Sequence, residues 1–410
     1  MHDPYHALRF RDFRLLLSGV FVGSFGQQML SVALGWELYN RTGSALVLGG
    51  VGLAQVIPLF LFTLPAGHVA DRYSRRAVVV VAQLALVAAS LGLAALSAQR
   101  GPLLLIYGCL VVMGSALAFS GPASSALIAQ VIPSDAFENA TTWRSSSWQL
   151  SAVLGPAAGG FLVGLLHGAT LVYVFNAAAA ALETILFALL RPRPRDTAAI
   201  ERATLHSVVE GIHFLARTPV LLAAITLDMF AVLFGGAVTL LPIYAKNILH
   251  VGPIGLGWLQ ASSSLGAVCM AMVLAHRPPL RRAGRTLLAA VAGFGLATIV
   301  FGVSRWFWLS LLMLALLGAL DNVSVVIRST LVLVRTPDQM RGRVGAVNSL
   351  FVGTSNQLGG FESGLAAQLF GPVIAVAGGG VATLLVVLLV AWLWPEMRNL
   401  RALKEASPAA

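Results

Sequence analysis

Five ionisable side chains lie inside long apolar runs of this sequence: Glu183, Asp228, Asp321, Arg328 and Glu362. A charge held at bilayer depth is costly, so each is a candidate for carrying or neutralising charge. The four acids, Asp228, Asp321, Glu183 and Glu362, can each load a proton on one side of a membrane and release it on the other. Asp321 and Arg328 are seven residues apart, two helical turns, so they face one way but stand roughly 10 Å apart along the axis. A pair within that helix is excluded, and each needs a partner elsewhere. Glu37, beside Trp36 at the edge of its run, reads as an interface residue. His167, His250 and His213 fall in polar connections and read as solvated.

Other chemistries are missing from the pattern. The sequence has no G-x-x-x-x-G-K-[ST] for cradling a nucleotide and no H-E-x-x-H. Cys109 and Cys269 lie in apolar runs and make no zinc or disulfide framework. Neither a metal nor a cofactor is expected, and no enzymatic role.

The elements that position these groups follow from composition. Of 410 residues, 58% are apolar and 10% charged, with a mean hydropathy of +0.84; soluble domains carry about 25% charged residues. Lipid is therefore the solvent for much of this chain. Apolar runs predict twelve membrane-spanning helices at 13–38, 45–66, 77–98, 103–128, 143–166, 170–190, 220–245, 253–275, 286–304, 307–334, 344–370 and 372–394. The fold class is an all-α membrane protein. Its expected parts are a six-helix bundle over 1–190, a cytoplasmic linker over 191–219, a second bundle over 220–395 and a cytoplasmic tail over 396–410. In the linker, Ser207–Arg217 has apolar residues at helical spacing and is expected to lie along the membrane surface.

The net charge of +11 is a topology signal rather than a nucleic-acid footprint. With both termini cytoplasmic, 22 of the 27 Lys and Arg fall on the cytoplasmic side. Arg41, Arg100, Lys246 and Arg305 fall outside, and Arg328 is within a span. Met1–Arg14 lacks the order of a cleaved signal, so the first span is expected to direct insertion.

The halves repeat. Val131–Asp135 reads V-I-P-S-D and Arg335–Asp338 reads R-T-P-D. Gly155 follows Pro133 by 22 residues, and Gly359 follows Pro337 by 22. Parallel repeats of this kind place a substrate site near the midplane.

Two motifs carry more. Gly67–Arg76, G-H-V-A-D-R-Y-S-R-R, resembles the signature loop of the major facilitator superfamily, with Gly67, Asp71, Arg72, Arg75 and Arg76 matching. Ser74 stands for the usual second glycine, which makes the expected tight turn less permissive. The resemblance implies a cytoplasmic gate in which Asp71 docks at the N-terminus of the eleventh helix, near Val344, where a helix dipole favours an acid. Leu154–Phe161, L-G-P-A-A-G-G-F, resembles the G-P-x-x-G-G motif of antiporters in that superfamily. Gly155, Pro156, Gly159 and Gly160 would let helices approach closely.

Arg11–Leu17, Thr42–Ala45, Pro122–Leu127, Glu210–Leu215 and Pro337–Val344 extend the resemblance to the enterobactin-exporter-like and drug-efflux-like branch. In that fold spans one, four, seven and ten line the cavity. This favours Asp228, Asp321 and Arg328, with Gln27, Gln28 and Phe119 as neutral lining, over Glu183 and Glu362. Gln27 and Gln28 stand where many members carry an acid, and the fourth span lacks their arginine, so proton coupling would reside elsewhere in this chain. The implied function is proton-coupled efflux of a small amphipathic organic molecule, a siderophore or a drug, by a monomer in a bacterial inner membrane. A ferroportin-like divalent metal exporter and a lysophospholipid translocator are the alternatives.

Overall fold

The computed structural model describes residues 3–191, 205–278 and 282–400. The helices are α1 (Arg11–Thr42), α2 (Ala45–Arg72), α3 (Arg75–Ala98), α4 (Leu103–Val131), α5 (Phe137–Leu166), α6 (Thr170–Ala188), α7 (Leu205–Arg217), α8 (Pro219–Phe234), α9 (Ala237–Ile243), α10 (Gly252–His276), α11 (Ala283–Val303), α12 (Phe307–Arg335), α13 (Arg341–Phe370), α14 (Pro372–Leu393) and α15 (Pro395–Asn399). Among the described residues, eleven segments are long and apolar enough to cross a bilayer, α8 and α9 counting as one. The thirty-residue α13 supplies a twelfth span. It is more polar than the others because it carries Arg341, Arg343, Asn348, Asn356, Gln357 and Glu362. The protein is a multi-pass, all-helical membrane protein.

The described residues form two compact units. One lies within Met1–Arg41, Ala54–Ala203 and Gly252–Ala261; the other within Thr42–Leu53, Thr204–Val251 and Ser262–Ala410. Inside the second unit, α14 buries Val376, Gly380, Thr383, Val387 and Val390, a stripe at alternating spacings of four and three. The stripe meets α11 at two glycine contacts. A Cβ on Gly295 would lie 3.0 Å from the Gly380 carbonyl, and one on Gly302 would lie 3.0 Å from the Ala377 nitrogen. Leu385, Leu388, Leu389 and Trp392 take the opposite, exposed face, where lipid rather than water is the natural neighbour.

The repeat read from sequence has a structural counterpart in each unit. α4 and α12 are both 29 residues long, each ends before a 3-10 turn (Ser134–Ala136 and Asp338–Met340), and each is followed by a 30-residue helix. Gly155 of α5 meets α1 at Gln28 and the Phe25 carbonyl. Gly359 of α13 meets α8 at the Val232 and Leu233 carbonyls. The two glycines thus do the same job on the fifth helix of each repeat.

Three expectations change. The seventh span is not continuous. Gly235 and Gly236 break it between α8 and α9, and it continues through a π turn at Tyr244–Ile248 whose Tyr244 hydroxyl donates to the Gly302 carbonyl at 2.8 Å. The motif at Gly67–Arg76 is mostly helix. α2 runs through Arg72 and α3 starts at Arg75, so only Tyr73 and Ser74 are non-helical. Ser74 has φ −64° and ψ 126°, which needs no glycine, and its side chain accepts from the Ala77 N–H as an N-cap. The Asp71 side chain lies outside what is described.

The linker helix α7 is also more than a surface segment. Gly211 packs on α13, where an added Cβ would lie 3.1 Å from the Arg343 carbonyl, and Arg343 pairs with Glu210. Leu215 is buried while Val209 and Ile212 stay exposed. Arg193, Arg195 and Arg202 of the linker, Arg281, and the tail beyond 400 lie outside the described residues.

Candidate functional site

In the first unit the site begins with a glycine face. Gly19, Gly23 and Gly26 recur at four and three residues along α1, so they share one side of the helix. That side lies against α6. Gly19 meets Phe187, and Gly26 meets Asn176 and Ala179. A Cβ on Gly23 would fall 1.8 Å from Glu183 Oε2, so the carboxylate occupies the space this glycine vacates.

Glu183 is only 8% exposed. From α3, Gln83 hydrogen-bonds its carboxylate, while Gln83 Oε1 itself has no hydrogen-bond partner among the described residues. Two turns along α6, the Asn176 amide donates to Ser90 Oγ at 2.8 Å, and Ser90 in turn donates to the Leu86 carbonyl at 2.7 Å. Buried polar groups are therefore tied together on α3 and α6, with an acid at one end.

These groups open on a cavity of about 460 Å³. Gln27 and Gln28 line it from α1, and Ser120, Ser124 and Ser125 from α4. α5 contributes Trp148 and Arg144. Arg144 makes no ion pair or hydrogen bond among the described residues, and Glu183 makes no ion pair. The volume suits a small organic ligand, and the lining sets apolar side chains beside many polar ones.

The G-P-x-x-G-G segment supports this cavity from behind. Gly155 lets Gln28 stand against α5, and Gly159 packs on the Met29 backbone. Gly160 meets the start of α10, where an added Cβ would lie 2.4 Å from the Pro253 carbonyl and 2.8 Å from Gly257 Cα. Pro156 is buried inside the unbroken helix, and its carbonyl is 2.5 Å from where a Gly257 Cβ would sit.

The second unit treats its ionisable groups differently. Asp228 on α8 and Arg328 on α12 form an ion pair, with the two residues 4% and 5% exposed. Arg328 is thereby removed from the expected cavity lining. Asp228 is a charge-compensated partner rather than an isolated carboxylate. Asp321 lines a separate cavity of about 170 Å³ beside the α8–α9 break. Glu362 accepts from the Ser363 hydroxyl at 3.3 Å.

Phe119 meets Phe62 in a tilted pair with ring centroids 5.5 Å apart and packs on the apolar core around Leu16 and Leu127. It is not among the residues lining the Glu183 cavity. Glu37 lies one turn inside α1, paired with Arg41 at 3.3 Å, and Arg41 also donates to the Gly101 carbonyl. His167 and His250 hold positive φ angles of 53° at helix ends. Among the described residues no three His, Cys, Asp or Glu side chains gather as a metal-ligating group.

The sequence pattern missed Gly23, Gln83, Asn176 and Arg144. The small-residue period on α1 was a usable signal. Arg144 lies at the edge of a fifth span that starts at 143 and so reads from sequence as a cytoplasmic charge, whereas α5 begins at Phe137.

Long apolar helices in two repeats, with a polar cavity within each unit, are the architecture of a membrane transporter. The sequence profile of the Major Facilitator Superfamily matches residues 16–352, and the chain belongs to that family. It is 27% identical over 383 residues to the multidrug efflux pump Tap of Mycolicibacterium fortuitum, covering 89% of each chain. It is 25% identical over 397 residues to the enterobactin exporter EntS of Citrobacter koseri, covering 95% of this chain and 93% of that one. In fold it is similar to a bacterial homologue of the human lysosomal transporter Spinster in an inward-facing, unoccupied conformation. The TM-score is 0.74 at 16% identity, with 100% of both chains covered. The protein is a transporter with efflux-pump relatives, and its family is one of transporters rather than enzymes.

Proposed function

We propose that this transporter exports a small amphipathic organic molecule in exchange for inward-moving protons, and that Glu183 is the group at which the two compete. The carrying observation is the single buried carboxylate in the cavity of about 460 Å³, held against Gly23 and hydrogen-bonded by Gln83. The walls suit an amphipathic guest: Trp148 and Phe187 supply apolar surface, while Gln27 and Gln28 supply amide groups. When ionised, Glu183 favours a guest carrying positive charge. When protonated, it releases one. Binding of guest and proton is then mutually exclusive, which is what couples two fluxes.

The substrate exchanges by alternating access of the bundles 1–190 and 220–395, in a monomer in the bacterial inner membrane with both termini cytoplasmic. A proton entering with the potential contributes about 2.3 kcal/mol per 100 mV. Gly67, Asp71, Arg72, Arg75 and Arg76 are assigned to closing the cytoplasmic side, and the Gly155–Gly160 segment to holding α1 and α10 close. Multidrug efflux by Tap and enterobactin export by EntS, as their names state, favour export over import.

The test is flux of a fluorescent lipophilic cation in proteoliposomes. Imposing a pH gradient should drive accumulation against a concentration gradient. Rates indifferent to that gradient, with the protein active in downhill exchange, would contradict proton coupling and leave a facilitator.

A further inference from the structure

The break in the seventh span borders a polar cavity that holds an acid without a partner among the described residues. In an unbroken helix the carbonyls of Val232, Leu233 and Phe234 would accept N–H bonds from residues four further on. Gly235 and Gly236 end α8 instead. The Ala237 N–H turns to the Gly235 carbonyl at 2.6 Å, and Thr239 N–H to Gly236 at 3.2 Å. Among the described residues no backbone N–H donates to the three carbonyls that close α8. The Val232 and Leu233 carbonyls pack on Gly359 of α13 and the Phe234 carbonyl on Gly379 of α14, so neighbouring helix backbone covers them. They also form the negative end of a helix dipole, which favours a cation.

Val232 and Gly235 line a cavity of about 170 Å³ together with Thr239, Ser263, Asp321 and Asn356. The glycines around it make room for oxygen. A Cβ on Gly360 would lie 2.9 Å from Thr239 Oγ1, and one on Gly318 would lie 3.0 Å from Ser263 Oγ and 1.8 Å from the Ser263 carbonyl. Asn356 spends its amide N–H on the Val352 carbonyl at 2.8 Å, which leaves its Oδ1 as a free acceptor. Asp321 has no ion pair or hydrogen bond among the described residues. Arg328, the cation two turns along the same helix, is already engaged by Asp228.

We infer that this cavity in the second unit is a binding site for a sodium ion, with the Asp321 carboxylate and the side-chain oxygens of Thr239, Ser263 and Asn356 as its ligand set. The chemistry selects the ion class. Oxygen donors suit a hard cation, and one carboxylate balances a single positive charge. A calcium ion usually draws on more than one acid. A proton would need only the carboxyl and would leave the surrounding oxygens without a purpose. The site is distinct from the Glu183 cavity and goes beyond the function proposed there.

The experiment is thermal unfolding of the purified full chain at fixed pH and ionic strength, titrated with sodium chloride against potassium and choline chlorides. Sodium alone should raise the melting temperature saturably, by about 2–5 °C at concentrations well above its dissociation constant. Asp321→Asn should abolish that rise, and Thr239→Val should shift its midpoint at least tenfold to higher sodium. Glu183→Gln, altered in the other unit, should keep the full response, which separates this site from the proposed exchange at Glu183. Identical melting curves of the unaltered protein in all three salts would overturn the inference without reliance on any variant. A rise produced by acid but not by sodium would overturn it as well, and would make Asp321 a protonation site.

Discussion

Glu183 in the first unit and Asp228 in the second are both acids inside membrane spans, both nearly inaccessible, and placed to opposite effect. Asp228 meets Arg328, so the pair carries no net charge and can stay where it is through a transport cycle. Glu183 meets a glycine, a glutamine and a cavity that Arg144 also lines, with no ion pair among the described residues, and under the proposed exchange its charge is balanced by what arrives and leaves. Burial alone therefore does not mark a coupling residue. In the proposed exchange the decisive feature is whether the fold already supplies the countercharge.

The sharpest break of that comparison falls on the compensated pair. Asp228→Asn or Arg328→Gln alone strands a buried charge, an effect of about 3–5 kcal/mol in proteins generally. Each single variant should express poorly and unfold well below the parent. The double variant Asp228→Asn/Arg328→Gln should recover most of the loss. Additive losses in a double-mutant cycle, read by thermal unfolding, would show that the two side chains do not act as a pair.

Next in size is Gly23→Ala. The new methyl would sit 1.8 Å from Glu183 Oε2 and must push the carboxylate aside. Transport should fall at least tenfold while the protein still inserts and folds. Gly108→Ala, where nothing lies within 4 Å, should be silent. Equal activity of both variants would remove Gly23 from the site.

Much of this frame was legible in the sequence. Most spans fell within a few residues of the helices, the second and fifth being six residues short at their polar ends, because long apolar runs are solved as helices at bilayer depth. The 22-residue spacing after Pro133 and Pro337 pointed to Gly155 and Gly359, which do pack alike. Pairing was not legible. Asp228 and Arg328 are 100 residues apart in sequence, and nothing in either helix names the other. Glu183 was ranked low because span six does not usually line a cavity, yet Gly23 brings it to one. The α8–α9 break was missed since Gly235 and Gly236 sit in an apolar run that reads as continuous.

A smaller effect is expected at the linker. Glu210 and Arg343 are a partly exposed pair, and such pairs contribute about 1 kcal/mol or less. Glu210→Gln should lower the melting temperature by no more than a degree or two and should expose the α7 region to protease before the spans unfold. Unchanged proteolysis would show that Gly211 and Leu215 packing on its own holds α7 in place.

The most direct test of the comparison is flux through Glu183→Gln in proteoliposomes, with and without an imposed pH gradient. Glutamine keeps the shape and the hydrogen bond to Gln83 but cannot exchange a proton. The expected result is downhill exchange within a fewfold of the parent and no accumulation when the gradient is applied. Accumulation at the parental level in Glu183→Gln would contradict it, and would move proton coupling to Asp321 or Glu362.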